Sequence, residues 1–285
     1  MKTSLPLILI LLAASARAPA ARQTPAVGGE HFSKDGLSFD YPAGWTLEDK
    51  STAELQHVVL KRPDGSALIM VVAHREPLRS AGQLIASHGA VTRPYVEGVA
   101  RQLGAKVPDA PDPGCLEVGR AQAAGYRLAG RVGQEPSTAE VYPVVKGQRL
   151  VHLVFIRHDR QEASAAVGWK SLIETLKVEP PADPSPEAEK LARIVSGGVL
   201  NGRTIKKPQP DYPPAAKAAR VSGTVAVHVA VDEQGDVSWA QAVTGHPLLR
   251  AAGEEAARRA KFSQTLLCGK PVKVTGVIIY NFVLN

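Results

Sequence analysis

Four histidines in the N-terminal half are the side chains best suited to bind a metal ion. His57 and His74 fall on neighbouring strand patterns, and His152 and His158 bracket the end of a third. Imidazole is a common zinc ligand, but structural zinc sites usually add closely spaced cysteines, further histidines or carboxylates. No such spacing accompanies these four residues, so the sequence favours structural or exposed histidines over a metal site.

Catalytic motifs are missing from the sequence. It contains no G-x-S-x-G nucleophile elbow, no H-E-x-x-H zinc motif, no Walker loop and no G-x-G-x-x-G fingerprint. The sequence places no partner beside Glu135, Glu140 or Asp159. We therefore predict no catalytic residues, no cofactor and no metal, and hence no enzyme. An enzyme or small-ligand binder with an unmarked N-terminal pocket is the alternative.

Two cysteines, Cys115 and Cys268, fall in different predicted domains. A bridge between them would join the domains, and an oxidising compartment would permit it. Two isolated cysteines lack the spacing of a disulfide framework. The sequence therefore favours two separate thiols.

The first 20 residues have the pattern of an export signal. Lys2 precedes an apolar run from Leu5 to Ala14, and Ala-x-Ala cleavage patterns end at Ala16 and Ala20. This pattern is typical of a secretory signal peptide. The run is shorter than the ~20 residues that span a bilayer, and no later segment approaches that length. We expect an exported protein without an integral membrane span.

Alternating apolar residues define the elements of the C-terminal part. Every second residue from Val225 to Val231 is valine, which is typical of a strand with one buried face. Residues 232–235 supply turn chemistry before a returning strand at 237–243. A helix that begins near Pro247 and a closing strand at 272–284 complete the pattern.

These elements follow the order of a known family. The segment from Val195 to Asn285 resembles the C-terminal domain of TonB. The resemblance rests on Tyr212-Pro213, the Gly223–Val231 strand, the Asp232–Val237 hairpin, the Ala-rich helix into Phe262 and the closing Gly269–Phe282 segment. It implies a small antiparallel sheet with a packed helix, in the periplasm of a double-membrane bacterium. It also implies a sheet edge to which an extended receptor peptide adds a strand.

The closing strand carries apolar residues on both faces. Val277, Ile279 and Val283 lie opposite the face that should contact the helix. Such a strand is covered twice, paired with a partner, or left as an open edge. We predict unpaired backbone along this edge and assign these three residues to partner binding. An intramolecular neighbour or a homodimer through the same edge is the alternative.

Two more residues enter through the resemblance. The family places a receptor-contacting residue just ahead of its Tyr-Pro pair, which corresponds to Gln209 here. Gln209 and Tyr212 therefore join the predicted partner site. For Tyr212, a ring packed beneath the hairpin is the favoured alternative.

The N-terminal part reads as a second domain. Leu37, Phe39 and Tyr41 alternate as a strand, residues 42–44 turn, and Trp45 begins the next strand. This motif and the element order resemble the PsbP-like group of α/β/α sandwich domains. The further elements are strands at 54–61, 67–74, 125–132, 140–145 and 149–157 and helices at 78–103 and 161–176.

The predicted fold class is α+β in two domains. The divisions are a signal peptide (1–20), a PsbP-like α/β domain (32–178), a Pro-rich linker (179–196) and a TonB C-terminal-like domain (197–285). A hydrophobic content of 44% and a charged content of 21% fit two globular cores. The net charge is +7. The basic residues are scattered without stacking aromatics, which argues against nucleic acid as a partner.

The sequence departs from an energy-transmitting TonB, which keeps an N-terminal membrane helix and a long Pro-rich spacer. We therefore predict a periplasmic, non-enzymatic binding or scaffold protein. Its TonB-like domain would capture an extended segment of an envelope protein, for which an outer-membrane TonB-dependent receptor is a candidate. Soluble participation in TonB-dependent transmembrane transport is the alternative.

Overall fold

The computed structural model describes residues 29–79, 83–84, 87, 91–108, 111–119, 121–183, 194–199, 204–267 and 269–284. The predicted signal peptide, residues 1–20, lies outside these ranges. Within them, mostly antiparallel sheets carry a small number of packed helices, so the predicted α+β class is confirmed.

The described residues of the N-terminal domain include ten strands and two longer helices. The strands are β1 (Gly29–Lys34), β2 (Leu37–Pro42), β3 (Thr46–Asp49), β4 (Leu55–Lys61), β5 (Ala67–Pro77), β6 (Asp112–Val118), β7 (Ala121–Val132), β8 (Glu135–Lys146), β9 (Arg149–His158) and β10 (Lys177–Val178). The helices are α1 (Arg93–Leu103) and α2 (Glu162–Thr175). One antiparallel sheet has the order β3-β4-β5-β9-β8-β7-β6, and a smaller one has the order β1-β2-β10.

The large sheet is covered on both faces. Ile69 and Val71 share a buried cluster with Leu172 of α2, whereas Met70 shares another with Val96 of α1. Successive side chains of a strand point to opposite faces, so the two helices lie on opposite sides of β5. The small sheet lies on the α2 side, where Leu37 and Phe39 of β2 join the first cluster. The result is the predicted α/β/α layering.

The helix predicted at 78–103 begins later than predicted: residues 78–79 are not helical, whereas the described residues 83–84, 87 and 91–103 are. β5 runs on to Pro77, and the Leu78 N–H donates to the Gln148 carbonyl at 2.6 Å instead of to a helical turn. Proline is tolerated in the first turn of a helix, which is where Pro94 lies. α1 ends at Gly104, which adopts a left-handed φ of 62°.

Arg149 holds β5 at the point where its pairing with β9 becomes irregular. The register shifts between Ala73 and Pro77. Arg149 Nε donates to the His74 carbonyl at 2.7 Å, and Arg149 Nη2 donates to the Gln56 side chain. A bulge frees backbone groups that need new partners, and this buried guanidinium supplies one.

In the part of the C-terminal domain that the structure describes, eight strands combine with two helices. The strands are β11 (Ile194–Val199), β12 (Thr204–Lys206), β13 (Gly223–Val231), β14 (Val237–Ala242), β15 (Lys261–Phe262), β16 (Leu266–Leu267), β17 (Lys270–Pro271) and β18 (Lys273–Phe282). The helices are α3 (Pro214–Ala218) and α4 (Pro247–Arg258). One sheet has the order β11-β18-β13-β14, while β12 pairs with β15 and β16 with β17.

The hairpin between β13 and β14 depends on local turn chemistry. Asp232 Oδ1 accepts hydrogen bonds from the backbone N–H groups of Gln234 and Asp236, at 3.0 and 2.8 Å. Gly235 has a φ of 87°, and a Cβ there would lie 2.1 Å from the Phe262 carbonyl oxygen. Glycine is therefore required at this turn both for its conformation and for the close approach of β15.

The two domains are in contact and covalently joined. β16 lies against β6 and β7, and Ala124 of β7 shares a buried cluster with Leu267. Cys115 of β6 is disulfide-bonded, and the only other cysteine, Cys268, directly follows β16. The expectation of two separate thiols is therefore wrong. Sequence spacing could not reveal this, because the packing of β16 on β6 is a long-range contact.

Burial on the large sheet favours the neutral form of two histidines, His57 and His74. His57, Val72 and His152 lie in one row across β4, β5 and β9. Burial lowers the pKa of both His57 and His74 below the ordinary histidine value. Protonation of these side chains therefore favours the unfolded chain.

The disulfide yields a proteolysis prediction. The predicted linker ended at residue 196, but β11 begins at Ile194. A single cut between residues 179 and 193 should give two fragments that migrate together without reductant and separate with it. The Cys115→Ser variant should give separate fragments under both conditions and lose about 2–4 kcal/mol of stability. Fragments of the parental protein that separate without reductant would contradict the bridge.

The buried histidines yield a pH prediction. Above about pH 6.5 both states hold neutral imidazoles, and below it only the unfolded chain takes up these protons until the lowered folded pKa is reached. The melting temperature should therefore be lower at about pH 5 than at about pH 7.5, and His57→Leu should narrow this difference. If His57→Leu leaves the difference in melting temperature between the two pH values unchanged, protonation of His57 is not its cause.

Candidate partner-binding edge

β18 is paired on one side at nine of its ten residues. Its antiparallel register with β13 runs from Gly223 opposite Phe282 to Val231 opposite Val274 without a break. The side chains alternate: Val274, Ile278 and Phe282 are buried, as is Tyr280, on the face that α4 covers. This alternation confirms the predicted strand and its helix-facing residues.

The other side of β18 is occupied by the chain itself. β11 pairs with it in parallel, with Ile194 opposite Lys273, Val195 opposite Val274, Ser196 opposite Thr275 and Val199 opposite Val277. The expectation of unpaired backbone is therefore wrong for the first half of this edge. The intramolecular neighbour considered as an alternative is present there.

A lysine contacts the next part of the same strand. Lys207 Nζ donates to the carbonyl oxygen of Ile279 at 2.8 Å, and it lies 5.1 Å from the centre of the Tyr280 ring. Burial raises the pKa of Tyr280 to about 12, so the ring stays neutral. The ammonium thus binds a backbone acceptor and an aromatic face at once. Sequence reasoning missed Lys207, because nothing local links it to a strand 72 residues away.

The predicted apolar contact residues differ in exposure. Val277 and Ile279 are partly buried, and Val283, just beyond the end of β18, is 69% exposed. Val277 lies opposite His228, and Ile279 lies opposite Ala226. These cross-strand neighbours form a shallow row on the sheet face away from α4, where burial lowers the pKa of His228. The alternating pattern of β13 predicted that His228 lies on the face opposite the valines. It could not predict that His228 lies opposite Val277.

Tyr212 packs beneath the end of the sheet. Its hydroxyl donates to the Val221 carbonyl, and its ring meets Phe282 edge-on with centroids 5.7 Å apart. Lys217 Nζ lies 6.0 Å from the ring centre. Gln209, three residues earlier, is exposed. The structure therefore gives Tyr212 the packing role that was its alternative, and leaves Gln209 accessible to a partner.

Three of the candidate metal and catalytic side chains of the N-terminal domain have other partners. His152 is fully buried, and its Nε2 lies 2.9 Å from Thr92 Oγ1. Glu140 pairs with Arg157 at 3.2 Å, and Asp159 accepts from Thr138 at 2.8 Å. No group of three or more potential metal ligands occurs among the described residues.

A cavity of about 230 Å³ lies where the N-terminal domain meets the linker. Arg75, Arg149, Asp35 and Glu179 line it together with Gly36 and three prolines. Arg75 pairs with Asp35 at 2.8 Å. This described lining offers charged groups for a small polar ligand but no serine, cysteine or histidine nucleophile. If the N-terminal domain binds a small ligand, which was the alternative considered from the sequence, this cavity is the candidate site.

No helix among the described residues is both long and apolar enough to cross a membrane.

Comparison with solved structures gives weak similarities. A protein of Bacteroides thetaiotaomicron VPI-5482 has 14% identity and a TM-score of 0.37, covering 54% of this chain and 50% of that one. Cyanobacterial PsbP (CyanoP) of Synechocystis sp. PCC 6803 has 15% identity and a TM-score of 0.37, covering 55% of this chain and 97% of that one. LpqN of Mycobacterium tuberculosis, described as involved in cell envelope biogenesis, has 10% identity and a TM-score of 0.29, covering 54% and 90%.

The chain spans half the length of the Bacteroides protein. The structural neighbours include a PsbP protein, which is the group that the N-terminal sequence resembles.

The sequence comparisons concern the C-terminal part. No curated protein matches the chain. Residues 208–284 match the family described as the Gram-negative bacterial TonB protein C-terminal. This match covers Tyr212-Pro213, β13, β14, α4 and β18, the elements that carry the sequence resemblance. The C-terminal part of this chain, residues 208–284, is therefore similar to the TonB C-terminal family.

Proposed function

We propose that this protein is a periplasmic binding or scaffold protein whose TonB C-terminal domain captures an extended segment of an envelope partner. The observation that supports this proposal is the parallel pairing of β11 with β18. The outer edge of β18 already binds an extended segment of polypeptide through its backbone. Strand addition would use the same edge for a segment of another protein.

Backbone pairing would supply affinity, and side chains would supply selectivity. A strand beside β18 presents alternate side chains to the sheet face that holds Val277 and Ile279. Val283 and Gln209 are exposed near the end of that edge and would contact a longer segment. An outer-membrane TonB-dependent receptor remains the candidate partner, and a second copy of the chain is the competing occupant.

The disulfide supports an exported location. Structural disulfides persist in the periplasm and outside the cell, where the surroundings are oxidising, and are rare in the cytosol. Cys115 is disulfide-bonded, and the sequence pattern of residues 1–20 is that of a signal peptide. Both observations point to the periplasm. A soluble role in TonB-dependent transport would need the same location and the same edge, together with a separate energised membrane component.

The first prediction from this proposal tests the edge. Val277→Lys should abolish binding to a candidate receptor's periplasmic N-terminal peptide, measured by fluorescence anisotropy, because a charge would replace the apolar side chain that lies beside the side chains of the added strand. The melting temperature should stay within a few degrees, since Val277 is only partly buried.

Val243→Lys is the matched control. Val243 is 41% exposed and follows β14 at the opposite side of the sheet, so this variant should bind like the parental protein. If Val277→Lys folds normally and keeps the parental affinity, the β18 edge is not the partner site.

The second prediction concerns location. The protein should be released with the periplasmic fraction by osmotic shock, and its N-terminus should follow a cleavage site near Ala16 or Ala20. Retention in the inner-membrane fraction with Met1 still present would overturn the periplasmic assignment and favour a membrane-anchored energy transducer.

A further inference from the structure

We propose that β11 is an exchangeable strand, which occupies the partner-binding edge of β18 in the free protein and is replaced by the partner's segment. This inference rests on the proposed function and deepens it. It identifies what covers the edge before binding and which part of β18 the partner would take.

The part of the β18 edge that β11 leaves uncovered is too short to pair with a partner strand. β11 covers β18 from Lys273 to Val277, and Lys207 binds the carbonyl of Ile279. Only the last residues of β18, up to Phe282, lie beyond these contacts. Strands in sheets usually pair over about five or six residues. A partner that adds to this edge therefore has to take the positions that β11 holds.

β11 is the strand least firmly bound in this sheet. Its register with β18 breaks between Ser196 and Val199, where Gly197 and Gly198 stand. Four positions pair in all, whereas β13 pairs with β18 at nine consecutive positions. Glycine weakens a strand, and parallel pairing is slightly less stable per residue than antiparallel pairing. β11 can therefore leave while β13 keeps β18 in place.

The two domains would stay together during the exchange. β16 packs against β6 and β7 independently of β11, and the disulfide of Cys115 joins the same region. β11 itself contacts β7. A replacing segment would therefore lie between β18 and a strand of the N-terminal domain, and both domains would contribute to its recognition.

β11 also indicates the chemistry of the partner. The replacing segment should run parallel to β18, as β11 does. It should carry β-branched residues, which favour strands, and no proline where its backbone N–H faces β18. A partner segment without two consecutive glycines would form a longer unbroken ladder than β11.

The test supplies β11 as a separate peptide. Val195→Pro removes a backbone N–H from the middle of the β11 ladder, and Val195→Thr keeps both that N–H and the β-branched shape. The probe is a fluorescein-labelled peptide with the sequence of residues 192–201, measured by anisotropy with the full-length protein. The Val195→Pro protein should bind it at least tenfold more tightly than the parental and Val195→Thr proteins. Equal affinity for all three proteins, or no binding to any, would overturn the exchange.

The parental protein provides an independent measurement. Backbone amides of β11 should exchange with deuterium at least tenfold faster than those of β13, because a strand that leaves its edge exposes its own amides. Exchange in β11 as slow as in β13 would overturn the inference even if Val195→Pro failed to fold.

Failure of the proposed function gives a different result. In that case the Val195→Pro protein would bind the 192–201 peptide, but neither it nor the parental protein would bind receptor peptides. If the proposed function holds and the exchange does not occur, parental and Val195→Pro proteins would bind a receptor peptide equally well.

Discussion

Backbone pairing on both sides of β18 is the interaction on which the C-terminal domain depends. β13 holds one side at nine of its ten residues, β11 holds the start of the other, and β14 joins the sheet only through β13. α4 then covers the valines that this register places on one face. Within the described residues, β18 therefore has strand neighbours on both sides at its beginning and on one side near its end. The strand can thus belong to the core of the domain and still offer backbone to a partner.

The N-terminal domain gives this edge a fixed neighbour. Its large sheet is apolar on both faces, because α1 covers one and α2 with the small sheet covers the other. Interiors packed in this way deform little. β6 and β7 lie at the end of that sheet, where they contact β16, and the disulfide of Cys115 secures the contact. The position of β7 beside β11 is therefore set by a rigid layer and not by the Pro-rich linker.

Local sequence signals predicted most of this architecture. The alternating valines of β13, the Asp232 turn and α4 were predicted within one or two residues, since each carries its own period or turn chemistry. β6 was missed because Pro113 and Gly114 usually interrupt strands. β11 was missed for a similar reason, as two glycines break its apolar pattern. The pairing of β11 with β18, the contact of Lys207 with Ile279 and the bridge at Cys115 join distant residues, and no local pattern encodes them.

Because β11 occupies the edge of β18, it protects the free protein from aggregation, and a partner has to compete with it. An open apolar edge promotes pairing between copies and aggregation, and β11 suppresses this with a short ladder. A segment tethered by a short linker acts at an effective concentration of about a millimolar. The apparent affinity of any partner is reduced by the fraction of molecules in which β11 is released. A weak or short segment would therefore fail to compete, whereas a segment that pairs along most of β18 would succeed, so the interrupted ladder of β11 sets a threshold for partner selection.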